Sequence, residues 1–336
     1  MRPIWRRRRP PGGALALALL LAAACSRPGT VSDDGRLRVV TTVAPITSIV
    51  AAVAGDRATV EGIVPEGVNS HTFEPPPSAA RALARADIVF VNGLRLEDPT
   101  KELAAGRGRP GAALVELGNR ALAPDEYLYD FSFPREAGKP NPHLWTSPPL
   151  ALRYARIVTD VLSRHSPADA DAFEANYASF AGGVDALDTA MQAATATLEP
   201  SRRKLLTYHD AYAYFARHYG WEVIGAIQPS SFDEPTPKDI AELIGQVRAQ
   251  RVPAIFGSEV FPSPVLEQIG REAGVRYVDV LRDDDLPGRP GDAEHSWLGL
   301  MRFNFMTMVE SLGGDASALE ALDLGVVPVD RATYPQ

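Results

Sequence analysis

The chain has 336 residues, of which 34 are Lys or Arg and 42 are Asp or Glu, so its formal net charge is −8. A hydrophobic content of 45% and a charged content of 23% are typical of a packed globular protein and exclude a disordered or fibrous chain. A single cysteine excludes an intramolecular disulfide and a thiolate zinc cluster. Since nucleic-acid binding requires a basic face, we expect no nucleic-acid partner for this acidic chain.

The first 24 residues have the pattern of a secretory signal. Residues 1–13 contain five arginines and no acidic residue, and residues 14–24 are an unbroken run of Ala and Leu. That run is shorter than the ~20 apolar residues that a bilayer-spanning helix needs. We therefore predict a signal peptide over residues 1–24 and a protein that works outside the cytoplasm.

Cys25, the only cysteine, directly follows this run and is preceded by three alanines. The arrangement resembles a bacterial lipobox, in which the cysteine becomes the lipidated first residue. The alternative is cleavage after an Ala-x-Ala site, which would leave Cys25 as a bystander thiol. We predict lipidation of Cys25 and a lipidated, polar tether over residues 25–36. The protein would then be anchored to the outer face of the cell membrane, or be periplasmic.

Strand-like and helical patterns then alternate in a regular order. The first half has predicted strands at 37–43, 58–64, 87–91 and 112–117, and predicted helices at 45–54, 78–86 and 150–164. The second half has predicted strands at 204–208, 222–227, 254–257 and 275–280, and predicted helices at 211–219, 238–249, 264–273 and 297–312. This βα repetition predicts an α/β fold of two lobes, residues 37–165 and 201–330, each with a mostly parallel sheet flanked by helices.

Residues 166–200 between the two lobes predict one long helix. Apolar residues recur at alternating spacings of four and three from Phe173 to Leu198, with Ser166 as the N-cap and Pro167 at the first helical position. A helix of about 32 residues would run ~48 Å and cross both lobes. The alternative is two shorter helices that break at Gly182 and Gly183, where each glycine costs about 1 kcal/mol relative to Ala.

Three of the six histidines follow predicted strands: His71, His143 and His209. Loops at the carboxyl ends of parallel strands form the ligand crevice of open α/β sheets, so these imidazoles are expected to converge. The acidic loop at 283–285 lies at the same edge of the second sheet. Three imidazoles and one carboxylate would complete a tetrahedral zinc site.

The other three histidines fit this site less well. We assign His165 to the end of a helix, where a cation is favourable. His218 is assigned to the surface. His295, just before the last long helix, is assigned to the surface, with a place at the rim of the site or directly behind its ligands as the alternative.

Four motifs together resemble the metal-specific solute-binding proteins of bacterial zinc and manganese ABC transporters. In that family two α/β lobes are joined by a single long rigid helix, and the metal lies between the lobes. The resemblance implies that His71, His143, His209 and one Asp of the loop 283–285 bind the metal. We prefer Asp284 and keep Asp283 and Asp285 as alternates. The motifs are HTFEP at 71–75, NPHLW at 141–145, HDAYAYF at 209–215 and FGSEV at 256–260.

The resemblance also implies the metal and the partners. Zinc members have His at the position of His209, whereas manganese members usually have a carboxylate, and imidazole suits zinc. We therefore expect Zn²⁺ as the transported ligand, with Mn²⁺ as the alternative. The implied partner is a membrane ABC permease, and we expect a monomer. The long His-rich loop of many zinc members is absent, which leaves room for a zinc metallochaperone.

Three other classes of protein fit these residues less well. A secreted zinc hydrolase needs an open coordination position and a general base. Only Asp210 and Glu74 are candidates for that base, and the His-Glu-x-x-His motif of many such enzymes is missing. A binding protein for haem, a siderophore or cobalamin needs a wide aromatic or basic pocket, and a metal-free adhesin needs no histidine cluster. We therefore expect no enzymatic activity.

The segment 106–111 (GRGRPG) has the spacing of a dinucleotide-binding fingerprint, but it precedes a strand, so we interpret it as a loop.

Overall fold

The computed structural model describes residues 35–228, 236–258, 260, 264–326 and 330–335. The predicted signal peptide and Cys25 lie outside these residues, as does most of the predicted tether, so those predictions stay predictions. Within the described part of the chain, every helix is too short or too polar to cross a membrane.

The first sheet contains four parallel strands: β1 (Leu37–Thr41), β2 (Ala58–Gly62), β3 (Ile88–Val91) and β4 (Ala113–Glu116). They lie in the order β2-β1-β3-β4. The helices of this half are α1 (Ala44–Ala54), α2 (Pro77–Leu83), α3 (Asp98–Arg107), α4 (Leu117–Ala121) and α5 (Pro148–His165). Of these, α3 and α4 were not predicted. The first two residues of the segment 106–111 end α3, and residues 108–111 form the predicted loop.

The second sheet repeats this arrangement with the order β6-β5-β7-β8, again parallel. The equivalent order in the two sheets confirms the predicted fold class, two α/β lobes with parallel sheets. The strands are β5 (Lys204–Thr207), β6 (Glu222–Ala226), β7 (Ala254–Ser258) and β8 (Arg276–Leu281), and the helices are α7 (Ala213–Tyr219), α8 (Pro237–Gln250), α9 (Pro264–Ala273), α10 (Trp297–Ser311) and α11 (Ser317–Glu320).

One long helix joins the two lobes. A 3-10 turn, Pro167–Asp169, leads directly into α6, Ala170–Ala196, whose 27 residues span ~40 Å. The helix continues through Gly182 and Gly183, which excludes the alternative of two separate helices. We predicted Ser166 as the N-cap of this helix. Its side chain makes no capping hydrogen bond, and its hydroxyl instead donates to the Asp169 carboxylate at 2.6 Å.

The apolar stripe of α6 belongs to one hydrophobic cluster that extends through both lobes. Phe180 on this stripe is buried against Trp297 of α10, with ring centroids 5.6 Å apart. Near the end of the chain, Thr333 donates to the carbonyl of Val60 and accepts from the amide of Gly62, so it extends the first sheet at β2. The shared core therefore connects the two lobes, and the chain near Thr333 packs back onto the first sheet.

Candidate metal centre

The structure brings His71, His143 and His209 together at the carboxyl ends of strands from both sheets. His71 lies in the loop after β2, His143 lies after β4, and His209 follows β5 almost directly. Their Nε2 atoms are 3.2 Å apart for His71 and His143, 3.3 Å for His71 and His209, and 2.8 Å for His143 and His209. The edge of a tetrahedral site with zinc–nitrogen bonds of about 2.0–2.1 Å is about 3.3–3.4 Å long. The three nitrogens therefore have nearly the spacing of one face of such a site.

Hydrogen bonds on the far side of two rings determine which nitrogen carries the hydrogen. The Nδ1 of His143 donates to Asn141 Oδ1 at 2.9 Å, and the Nδ1 of His209 donates to Gln228 Oε1 at 2.6 Å. In a neutral imidazole the other nitrogen, Nε2, then carries the lone pair. Two lone pairs consequently face each other at 2.8 Å. This contact is unfavourable until a cation lies between them, so the arrangement suits metal ligation.

Asn141 is itself held in a single orientation. Its side-chain Nδ2 donates to Asp130 Oδ2 at 3.0 Å and to the Asp210 carbonyl at 2.8 Å. Both acceptors require an NH₂ group on that side, so the oxygen must face His143. The side-chain oxygen also accepts from the His143 backbone amide at 3.0 Å. Asn141 thus fixes the ring, the tautomer and the backbone of the second histidine.

Burial keeps all three imidazoles neutral. Removal from water lowers the pKa of His71 and of His143 well below the ordinary histidine value, and the neighbouring imidazoles lower both further. Burial lowers the pKa of His209 to about 4, although its hydrogen bond to Gln228 opposes the shift. Because only the neutral ring can bind a metal, the three histidines are in the protonation state that metal binding requires at neutral pH.

The three aspartates of the loop after β8 face different groups. The Oδ2 atom of Asp283 lies 3.9 Å from His209 Nε2 and accepts from the Ser258 hydroxyl at 3.2 Å. Asp284 Oδ2 instead accepts from the Ser70 amide at 3.3 Å, and Asp285 Oδ2 accepts from the Gly67 amide at 2.9 Å. Of the three carboxylates, that of Asp283 has a described contact with one histidine of the group, His209, while the next two aspartates contact the loop that carries His71.

These contacts also close the crevice between the lobes. Asp284 and Asp285 of the second lobe bind backbone amides of the first lobe beside His71. The Trp145 indole donates to the Asp283 carbonyl at 3.0 Å and lies edge-on to His143, with centroids 5.0 Å apart. Loops of the second lobe thus contact both the loop that carries His71 and Trp145 of the first lobe, so the crevice is closed beside the three-histidine group.

The remaining histidines lie elsewhere. His165 ends α5 as predicted, with Nδ1 donating to the Val161 carbonyl. His218 is partly exposed and contacts Asp188 of α6 at 2.7 Å, so it also connects α7 to the long helix. The assignment of His295 to the surface was wrong, since its side chain is only 1% exposed and lines a cavity beside α1, α6 and α10. Among the described residues, the group that could hold a metal consists of His71, His143 and His209, without His295. The position of His295 just before α10 gave no sign of this burial in the sequence.

Two lobes with parallel sheets, one connecting helix and a three-histidine group between the lobes, in which His143 and His209 are buried and His71 is partly exposed, define the class of two-lobe metal-binding proteins. The chain matches the family described as "Zinc-uptake complex component A periplasmic" (ZnuA) over residues 39–311, and it belongs to that family. The family comprises metal-binding substrate-binding proteins of ABC transporters. The match covers most of the chain, including all the histidines of the site.

Individual relatives agree on the fold and differ in their named metal. The chain is 27% identical over 300 residues to the iron-binding protein YfeA of Yersinia pestis, which covers 89% of this chain and 94% of that protein. It is 25% identical over 315 residues to the manganese ABC transporter substrate-binding lipoprotein PsaA of Streptococcus pneumoniae, covering 89% and 97%. Among solved structures, the periplasmic zinc binding protein TroA from Treponema pallidum is 26% identical, with a TM-score of 0.74 and coverage of 83% and 99%.

Proposed function

We propose that this protein captures Zn²⁺ between its two lobes, outside the cytoplasm, and delivers the ion to a membrane ABC permease. The observation that carries the proposal is the convergence of three neutral imidazoles, with all Nε2 atoms within 3.3 Å of one another. Imidazole is a preferred ligand of zinc, whereas sites for manganese are richer in oxygen. The relatives named for manganese and iron make Mn²⁺ the second candidate.

For the fourth ligand we propose Asp283 in place of the Asp284 preferred from sequence. Its Oδ2 atom is 3.9 Å from His209 Nε2, and no comparable approach to the three-histidine group is seen for Asp284 or Asp285 among the described contacts. Two ligands would then come from each side of α6: His71 and His143 before it, Asp283 and His209 after it. An ion that binds both lobes favours the closed state by its differential affinity for that state.

Transport rather than hydrolysis fits the surroundings of the site. Four protein ligands would leave no coordination position for a reacting water. Of the two candidate bases, Asp210 accepts from the Ser132 amide through Oδ2 and is buried against Asp130, while Glu74 is exposed. Neither carboxylate is placed to activate a water at the three-histidine group. We therefore infer a binding protein without enzymatic activity.

The partners follow from this function and from the lipoprotein names of relatives. The closed, metal-loaded form would dock on the permease, with lipidated Cys25 holding the protein at the outer face of the membrane. A monomer suffices for this cycle, since both halves of the site lie in one chain. A metallochaperone would be an external source of zinc.

Metal competition tests the proposal. The chain is stripped of metal with a chelator and equilibrated with zinc, manganese and iron(II), each against a chromophoric chelator. We expect one tight equivalent of zinc that excess manganese does not displace. Loss of a residue that only contacts a ligand lowers metal affinity about 10- to 100-fold. His209→Ala removes a ligand and should lower zinc affinity by more than that, whereas His165→Ala should leave zinc affinity unchanged. Tighter binding of manganese than of zinc would overturn the choice of metal.

A further inference from the structure

A second histidine environment lies away from the three-histidine group. His295 is buried just before α10, and its Nδ1 lies 3.3 Å from the Pro287 carbonyl, which can only accept a hydrogen bond. The hydrogen therefore sits on Nδ1, and Nε2 carries a lone pair. Within the described part of the chain, Nε2 has no hydrogen-bond partner. A buried polar atom without a partner costs about 1–3 kcal/mol, so its retention calls for an explanation.

The unpartnered nitrogen belongs to a residue that lines a cavity of about 150 Å³ between α1, α6, α10 and the end of the chain. This volume is large enough for a cation with several of its waters. Among the described residues that line it there is no Lys or Arg, whereas two carboxylates are present. The polar and aromatic members of the lining are Ser48, Phe180, Asp292, His295, Ser296, Trp297 and Asp330.

Asp330 provides a mostly buried negative charge in this cavity. Its carboxylate accepts from the Tyr334 hydroxyl and, at 2.8 Å, from the Ala332 amide. Each carboxylate oxygen has a further lone pair. Burial raises the pKa of Asp330 above the ordinary aspartate value, and the hydrogen bonds that its carboxylate accepts from Tyr334, Ala332 and Ser48 oppose this shift. A mostly buried carboxylate in a cavity whose described lining contains no Lys or Arg favours an external cation.

We propose that this cavity is a second divalent-cation site, in which His295 Nε2 and the Asp330 carboxylate are the protein ligands and water completes the coordination. Imidazole with carboxylate is a donor set that zinc and its neighbours accept. With only two protein ligands, this site binds more weakly than the three-histidine centre. The inference uses none of the residues of that centre and does not rest on the proposed function.

Trp297 connects the cavity to the first site and gives a spectroscopic signal. Its ring lines the cavity, and its indole nitrogen donates to the Trp145 carbonyl at 3.0 Å. Trp145 in turn packs edge-on against His143. A cation in the cavity should therefore change the emission of Trp297, and occupation of the first site should change that of Trp145.

The experiment is a zinc titration of the metal-stripped full chain, followed by calorimetry and by tryptophan emission. The parent should bind a tight and then a weaker equivalent. His295→Asn, which keeps most of the side-chain volume, should retain the tight equivalent and lose the weaker one. Asp330→Asn should also retain the tight equivalent and lose the weaker one. The same result in two variants would show that the loss does not come from a folding defect of one of them. His165→Asn, at an exposed helix end, is the matched control and should bind two equivalents.

A variant of the three-histidine group distinguishes zinc binding at the two sites. His209→Ala should lose the tight equivalent and keep the weaker one, and adding His295→Asn should remove that as well. A parent that binds one equivalent would overturn the second site. It would also be overturned if the weaker equivalent persisted in both His295→Asn and Asp330→Asn. Failure of the three-histidine centre would appear instead as an unchanged tight equivalent in His209→Ala.

Discussion

Asn141 Oδ1 accepts the Nδ1 hydrogen of His143 at 2.9 Å, and both hydrogens of the asparagine Nδ2 are used by Asp130 and by the Asp210 carbonyl. The amide therefore cannot reverse without losing two hydrogen bonds. This relationship fixes the lone pair of His143 on Nε2, where it faces His209. Outer-shell partners of this kind usually determine ligand orientation and basicity.

Substitution of Asn141 by Leu should lower zinc affinity about 10- to 100-fold without removing a ligand. The reason is that His143 would lose the acceptor that selects its tautomer. Zinc affinity by chelator competition measures the effect. Asn176→Leu on α6, where the amide donates to the Val53 carbonyl, is the control and should leave zinc affinity unchanged. An Asn141→Leu variant that binds zinc like the parent would contradict the assigned role.

Asp283 and Asp284 should differ in their effect on zinc. Asp283→Asn removes the carboxylate that lies nearest His209, so we expect the larger loss of affinity, by about tenfold or more relative to Asp284→Asn. Asp284→Asn keeps an oxygen that can accept from the Ser70 amide and should act mainly on closure. Both variants are compared in the same competition assay. If Asp284→Asn caused the greater loss, the assignment of the fourth ligand would have to be reversed.

Glu97 should make the stability of the protein depend on pH. The carboxylate is buried and accepts from the Asn92 and Gly93 amides and the Thr42 hydroxyl. Burial nevertheless raises the pKa of Glu97 to about 7. Because the folded state holds the proton more tightly than the unfolded chain, this contribution is fully present below about pH 4.5 and is lost as the pH rises through about 7.

Urea unfolding of the parent and of Glu97→Gln at several pH values from 5 to 8 measures this contribution. The glutamine cannot ionise, so the free energy of unfolding of the variant should rise relative to that of the parent as the pH increases. The size of the relative change should be on the order of 2–3 kcal/mol. The comparison cancels the other titrating groups. Parallel stability curves for the two proteins would show that Glu97 does not titrate in this range.

Gly182→Ala should stabilise the long helix. A Cβ at this position would meet no atom within 4 Å, and the residue lies in the interior of α6. The expected gain in the free energy of unfolding is about 0.5–1 kcal/mol. Gly220→Ala is the contrasting control, because Gly220 ends α7 with φ of 68° and the change should destabilise. Thermal or urea unfolding gives both values, and a loss of stability in Gly182→Ala would mean that the glycine is needed for packing.

Much of the fold was predictable because the strands are short apolar runs in a repeated order. The histidines were predictable because each follows a strand, and the carboxyl ends of parallel strands meet at one edge. The sequence left three consecutive aspartates after β8 open as the fourth ligand, since only the conformation of this loop determines which groups Asp283, Asp284 and Asp285 face. Gln228 and Asp130 act on the site through hydrogen bonds that join distant segments. His295 is buried by long-range packing that leaves no local pattern in the sequence.

X-ray absorption at the zinc edge, on the chain loaded with one equivalent, determines whether three imidazoles bind the ion. We expect a first shell of nitrogen and oxygen at about 2.0–2.1 Å with the scattering pattern of three imidazoles. His71→Ala, His143→Ala and His209→Ala should each reduce the imidazole count, and His165→Ala should not. A first equivalent of zinc with one imidazole or none, or a spectrum that is unchanged in all three variants, would contradict the account.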